Sequence, residues 1–496
     1  MRHLLNIISI DLRGIAALRI LTAILVIIDL LSRVGDLKAF YSDDGLIPRT
    51  FLLKHSQNPE YIYSLNLCSG RVEIQAVLLI IAISAACAMM LGYKSKLNTF
   101  LTYLLYTSFK LRNMYVLDSG HDMLNMLLFW QLFLPVGRTL SLDSLASPKK
   151  NSSNSYISVA SLAFIVQLCI VYYSQSFNKT DPAWTDDFTA LYYALHLDPF
   201  CTPLGKWLLN YPNVTQVLTA LTIYLQSYGF YLLAIPFLFP FFRILTVLLF
   251  IGFHIGTSLF LGLGLLPYVF IVAWIPLLPP FVWNKMEKTF VLNKVLRPFY
   301  RLEPFVHHQK PVSKLSQLTT QILAGVFMIF ITFCTFKTNE SHQLSASNTS
   351  DTIKNDWFPQ LRRALGIKTK WTMFSPKPPE QNAWYILAAT KENGDVIDLM
   401  KNGSPISFKK PERSYHLDYN TRWNNFIFSL QSPPKTALYG AFGTYMHNRY
   451  KETTPTTNKI KQIKLIMISQ KTRGFNDLKN RKARIKERTL WTRTIK

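Results

Sequence analysis

Acidic residues are scarce in this chain: 28 Asp and Glu stand against 54 Lys and Arg, giving a net charge of +26. Charge of either sign is also sparse at 17% of residues, against 49% hydrophobic, a balance too apolar for an ordinary soluble protein. Only five cysteines occur, Cys68, Cys87, Cys169, Cys201 and Cys334, with no CxxC and no metal-ligand spacing. That excludes a disulfide framework and leaves either one bridge, Cys68 with Cys201, or free thiols. No GxxxxGK[ST], HExxH, GxSxG or complete dinucleotide fingerprint is present, which weighs against ATP-driven transport and zinc proteolysis. No internal repeat of fixed period shows.

What the chain has instead is length in its apolar runs. Runs of roughly 18 to 24 residues recur through the first two thirds and stop near Phe336, each able to cross a hydrocarbon core about 30 Å thick. Nine spans are expected, at about 14–32, 73–93, 97–116, 119–137, 156–178, 213–235, 240–262, 264–283 and 316–336. The first is too long for a cleaved leader and reads as retained. The Pro-rich Ile275–Pro280 is the nearest candidate for a broken helix. The fold class is therefore an all-α polytopic membrane bundle of about nine transmembrane helices, followed by a small α+β extramembrane domain.

Boundaries follow from composition. Residues 1–336 form the membrane part, and 337–356, rich in Ser, Thr and Asn, read as a linker. Residues 357–470 form the α+β domain, with strands at Trp384–Thr390 and Val396–Met400 around an Asn393-Gly394 turn. Helices at Thr421–Leu430 and Lys435–Arg449 and a strand at Lys459–Ser469 complete it, and 471–496 read as a basic tail.

Basic residues collect in short loops on one side: Arg2 and Arg13, Lys94 and Lys96, Arg138, Lys149 and Lys150, and seven more between Trp283 and Lys314. Positive loops face the cytoplasm, so the N-terminus is expected inside and, with nine spans, the C-terminal domain outside. The bilayer, with its anionic headgroups, is the expected counter-surface rather than nucleic acid. The expected location is the inner (cell) membrane.

Two polar clusters approach the outer end: Asp118-Ser119-Gly120-His121-Asp122, and Asn178 to Trp184 with Lys179 and Asp181. Ionisable groups at a membrane boundary are costly unless paired or solvated, so a shared site is expected. Lys179 is the candidate base, because desolvation lowers an amine from about 10.4 toward neutrality; the plainer reading is a snorkelling lysine. His121 is the candidate acid, base or donor, or else a histidine satisfied by Asp118 or Asp122. Asp118, Asp122, Asp181, Trp184 and His254 are supporting polar groups. His254, within Phe253 to Ser258, reads foremost as a hydrogen bond between helices, with Gly256 admitting a close neighbour. The pair His307-His308 lacks acidic or thiol partners, and no metal site is expected.

The order of several short motifs resembles the horizontally transferred transmembrane (HTTM) domain, in the family that includes the vitamin K-dependent gamma-carboxylase. They are Arg19-Ile20 to Asp29-Leu30, Phe40 to Arg49, Leu91 to Lys96, Arg112-Asn113, Gly120-His121-Asp122, Phe129-Trp130, Lys179 to Trp184 and His254 to Thr257. The resemblance implies that Lys179 is an amine base acting on reduced vitamin K or another quinone. It implies further that His121 assists at a carbanion or at its reprotonation, and that a peptide or protein substrate is met on the extracytoplasmic side. The C-terminal part departs from the carboxylase pattern: Trp371 to Pro376, Trp384 and Arg422-Trp423 resemble the shorter tail of bacterial proteins with this membrane domain. Two classes stay open, a carboxylase-like enzyme and a non-catalytic membrane protein that assists maturation, export or binding of a secreted peptide.

Overall fold

The computed structural model describes residues 2–55, 62–145, 154–288, 313–344, 357–411, 420–431, 436–454, 459–475 and 485–495. Its N-terminal part is a helical bundle built from α1 (Leu12–Ser32), α2 (Val72–Leu91), α3 (Ser95–Arg112), α4 (Ser119–Gln131) and α5 (Val159–Phe177). It continues with α6 (Pro212–Tyr228), α7 (Phe239–Phe260), α8 (Leu266–Trp274), α9 (Pro280–Lys288) and α10 (Lys314–Leu344). All five cysteines are free.

Among the described residues six stretches are long and apolar enough to cross a membrane: Leu12–Tyr41, Val72–Leu91, Val159–Phe177, Pro212–Ala234, Phe239–Phe260 and Lys314–Asn339. A seventh exists if Leu266–Leu277 and Pro280–Lys288, bent by 97° at the Pro-rich step, count as one span. The chain is an integral membrane protein, but the count of nine expected above is not reached by these criteria. The difference lies in α3 and α4. Helix α3 carries Lys96, Lys110 and Arg112, while α4, with 13 residues, is about 20 Å long, short of the ~30 Å core. Every residue of α4 from Gly120 to Gln131 except Asp122 is buried, so its polar groups face protein rather than lipid.

Short polar contacts sort the helix ends into two levels. The strands β1 (Ile10–Asp11) and β2 (Ser155–Tyr156) pair Ile10 with Tyr156, which brings together the starts of α1 and α5. At the same level Arg13 binds Asp11 and Glu287, each at 2.8 Å. Asp143 accepts from the backbone of Lys94 at 2.9 Å and of Ser95 at 2.7 Å. The opposite level therefore holds the end of α1, the end of α3, the start of α4 and the end of α5, which is where both polar clusters lie.

The C-terminal region packs on that second level. Its sheet runs in the order β5-β4-β3-β6-β7, all antiparallel, with β3 (Gln381–Lys391), β4 (Val396–Asp398), β5 (Ser404–Pro405), β6 (Ile460–Lys471) and β7 (Ile485–Thr494). Three helices accompany it, α11 (Trp357–Ala364), α12 (Thr421–Ser429) and α13 (Thr436–Thr453). Two readings of the sequence change here. The stretch 471–496, read as a basic tail, contributes β7, an edge strand whose Lys486 and Arg488 are exposed, whose Arg493 donates to Thr444 of α13 at 2.9 Å and whose Trp491 meets Gly440 and Gly443 of the same helix. Charged edges of this kind resist pairing with other chains, and they hide the strand's alternation. In the expected linker, α10 runs on to Leu344; residues 345–356 lie outside the described residues.

One apolar core runs without a break from the bundle into the C-terminal region, with Phe40 and Trp423 ring centroids 4.7 Å apart. A polar clamp borders it. Arg422 binds the Asp36 carboxylate at 2.9 Å, the Ser32 hydroxyl at 2.9 Å and the Ser32 carbonyl. Trp423 and Asn420 donate to the same carboxylate at 3.2 and 2.9 Å. Removing one partner of a buried pair typically costs about 3–5 kcal/mol. Arg422→Ala is accordingly expected to lower the thermal midpoint and raise amide hydrogen exchange in α12 at least tenfold; exchange unchanged there would show that the clamp does not hold the region down.

Candidate functional site

Helix α5 starts at a capping box formed by Ser158 and Ser161 and ends at Asn178, after which the Lys179 backbone N–H donates to Ser176 O at 3.0 Å. Two residues on, Asp181 caps the short helix Pro182–Thr185 by accepting from Ala183 N at 3.0 Å, with proline at its first position. Lys179 therefore sits in a turn fixed on both sides, and its side chain enters the bundle, 4% exposed.

There the amine donates to Gln226 Oε1 at 2.5 Å, and Gln226 Nε2 donates to Gln175 Oε1 at 3.1 Å. The Trp184 ring centroid lies 4.7 Å from Nζ, and the Trp184 indole donates to Phe374 O at 3.0 Å. Among the described residues no carboxylate pairs with this amine. Burial pushes it down from 10.5 to about 7. That shift corresponds to roughly 5 kcal/mol against the charged form, more than the ~2 kcal/mol a desolvated aromatic face returns to it. An amine that has given up its proton in about half of the molecules at neutral pH, and in nearly all of them a unit or two higher, is the outcome.

The other cluster is built differently. Asp118 caps α4, accepting from Gly120 N at 2.7 Å, and Gly120 packs so closely that a Cβ would stand 2.5 Å from Leu266 N. His121 Nδ1 lies 2.9 Å from Asp118 Oδ1 and its Nε2 lies 3.2 Å from Asp29 Oδ1. Asp29 in turn binds Arg33 at 2.5 Å. Both ring nitrogens are engaged, so His121 as it stands joins α4 to α1.

Asp122 lies between two ammonium groups, Lys110 at 2.7 Å and Lys368 at 2.8 Å. With Ser119, Asp118 and Met114 these line a cavity of about 380 Å³. Lys368 comes from the stretch after α11 and also stacks over Trp371 at 5.3 Å. Trp371 N donates to Ser174 Oγ at 3.2 Å, and Asn178 Nδ2 donates to Asn339 Oδ1 at 3.1 Å. The segment from Gly366 to Phe374 thus lies between the two clusters. No hydrogen bond or ion pair joins His121 to Lys179 among the described residues; the structure brings them to one level, not into contact.

His254 lies between helices: the Tyr172 hydroxyl is 2.7 Å from its Nε2, and Trp274 donates to that hydroxyl at 2.9 Å. Gly256 admits no close neighbour, since a Cβ there would meet nothing within 4 Å. Among the described residues no group of three His, Cys, Asp or Glu is placed to hold a metal ion, and His307-His308 lies outside them.

Residues 9–283 match the family model of the HTTM domain. This chain belongs to the HTTM-domain family. None of the curated proteins and none of the solved structures compared with it matches. Lys179, Gln175, Gln226, Trp184, His121 and Asp122 all fall inside the HTTM domain, whereas Lys368, Trp371 and Phe374, which seal it, fall outside.

Sequence reasoning passed over Gln175, Gln226 and Lys368, and met Asp29 only as part of a motif. A lone amide or carboxylate in an apolar span is a signal that was available; Lys368, in a polar segment, offered none. The buried amine sets a sign for pH dependence. Between about 7 and 10 the unfolded chain holds a proton that folded Lys179 releases, so its cost to stability is full below about 7 and shrinks as pH rises through that window. Lys179→Met in the HTTM domain is expected to raise the thermal midpoint relative to wild type most at pH 6, with the gap narrowing toward pH 9. A gap that does not change with pH would contradict an uncharged amine.

Proposed function

We propose that this protein is a membrane-embedded, carboxylase-like enzyme in which Lys179 takes a proton from a quinol or peptide substrate at the extracytoplasmic face. The observation that carries the reading is an amine buried to 4% exposure with an amide oxygen, and no carboxylate among the described residues, as its hydrogen-bond partner. Its lone pair accepts the proton, Nζ becomes an ammonium, and the bonding pair stays on the substrate oxygen or carbon. A fixed base of this kind contributes about 10²–10⁴-fold. The extracytoplasmic orientation rests on the basic loops at the other level, Arg13, Lys94, Lys285 and Lys288 among them.

The resemblance implies a quinone cofactor, and the donor set fits one. The neutral amine matches an acidic hydroxyl, the Trp184 ring a flat face, and Gln226 with Gln175 an uncharged polar lining. When bound, a quinol supplies that hydroxyl, and its oxidation by dioxygen supplies a base stronger than an amine. Trp184, held by Phe374 O, keeps water from Lys179. His121 serves as an orienting group for α1 and α4 rather than as the base, since both its nitrogens are occupied.

Mass spectrometry of small molecules extracted from the purified protein is expected to find a quinone. With reduced quinone and dioxygen, wild type should turn over at a rate that rises with pH through about 7, and Lys179→Ala should lose about 10²-fold or more. Turnover indifferent to Lys179→Ala would remove Lys179 as the base, and no turnover by wild type, together with recovery of one peptide partner by both forms, would favour the non-catalytic maturation or export role.

A further inference from the structure

Lys179 offers three directions around its nitrogen beyond Cε, and two of them are occupied. Gln226 Oε1 stands at 2.5 Å and the Trp184 ring centroid at 4.7 Å. A neutral amine has two N–H bonds and one lone pair, so an oxygen and a ring face account for both N–H bonds and leave the pair in the third direction. That arrangement depends on which end of the Gln226 amide faces the amine. With the amide turned over, Nε2 would donate to the lone pair and block it.

Gln226 is turned by its neighbour. Its Nε2 donates to Gln175 Oε1 at 3.1 Å, and both glutamines are buried, Gln226 at 3% and Gln175 at 5% exposure. With Gln175 as it stands, turning the Gln226 amide over would bring two acceptor oxygens face to face and lose a buried hydrogen bond. Gln175 is one turn of α5 before Lys179, so a single helix end carries both the amine and the group that sets its partner.

We infer that Gln175 is a positioning residue: by accepting from Gln226 it turns that amide's oxygen toward Lys179 and keeps the lone pair of the amine free to take a proton. This rests on the reading of Lys179 as a base. The pair is built from amides rather than carboxylates, which fits the same end, because an acid in place of either would hold the amine charged.

The test reads the lone pair directly. Trace acetylation of Lys179 by acetic anhydride in proteoliposomes is followed by mass spectrometry from pH 6 to 10 on the full chain. Wild type is expected to label with a midpoint near 7 and then level off. Gln175→Met, close to isosteric but without an acceptor, is expected to keep a midpoint near neutrality while its plateau falls roughly five- to tenfold, the weight of one lost hydrogen bond. Gln175→Glu restores the acceptor, so its plateau should return to within about twofold of wild type, with the midpoint moved up by the added charge. A general loosening of the fold would do the opposite to the Met variant, raising its labelling and moving its midpoint toward 10.

The outcomes separate. A wild-type midpoint near 7 with an undiminished Gln175→Met plateau overturns the positioning role and leaves the base intact, as does a Met variant that labels faster. A wild-type midpoint near 10 removes the base and this inference with it.

Discussion

An ammonium without a counter-ion is the one group this bundle does not tolerate, and the way each buried cation escapes that fate organises the rest. Arg13 has Asp11, Arg33 has Asp29, Lys110 has Asp122 and Arg422 has Asp36. Where no acid is at hand, carbonyls serve: Arg243 donates to Leu277 O at 2.6 Å and Ser9 O at 2.7 Å, and Arg112 to Ile47 O at 2.9 Å. An arginine has no other exit because it does not lose its proton. Lysine does, and Lys179 has only an amide oxygen and a ring face. Its environment is the exception that the surrounding pairs make visible.

The same constraint explains the inner helices. Lys110 and Arg112 cannot face lipid, and their half of α3 is buried in the bundle, while Leu97, Phe100 and Leu104 stand exposed along its other half. The charged groups of such a helix then face protein, and the residues it leaves exposed are apolar. The cost is that these helices depend on tertiary partners, as the bond from Lys110 to Gly366 O at 2.8 Å illustrates.

The C-terminal region is accordingly part of the candidate site. Lys368 completes the pairing of Asp122, Trp371 reaches Ser174 on α5, and the carbonyl of Phe374 holds the ring that covers Lys179. The HTTM domain supplies the amine, its amide partners and the helix ends, and a segment outside it supplies the seal. The covering segment is thus a separate part of the chain from the domain that supplies the amine.

Sequence alone determined the membrane bundle, its long apolar helices, the bend at Ile275–Pro280 and the hairpin after Trp384, because each is written in local periodicity or turn chemistry. It also singled out Lys179, His121 and Asp122, since ionisable groups stand out against apolar runs. It could not decide what each would touch. Whether α3 and α4 meet lipid, whether residues 485–494 pair or hang free, and whether a lysine finds a carboxylate or a glutamine are settled by neighbours far away in the chain. The charge state of an amine is a property of its surroundings, and only the packing of α5, α6 and the strap from the C-terminal region fixed those.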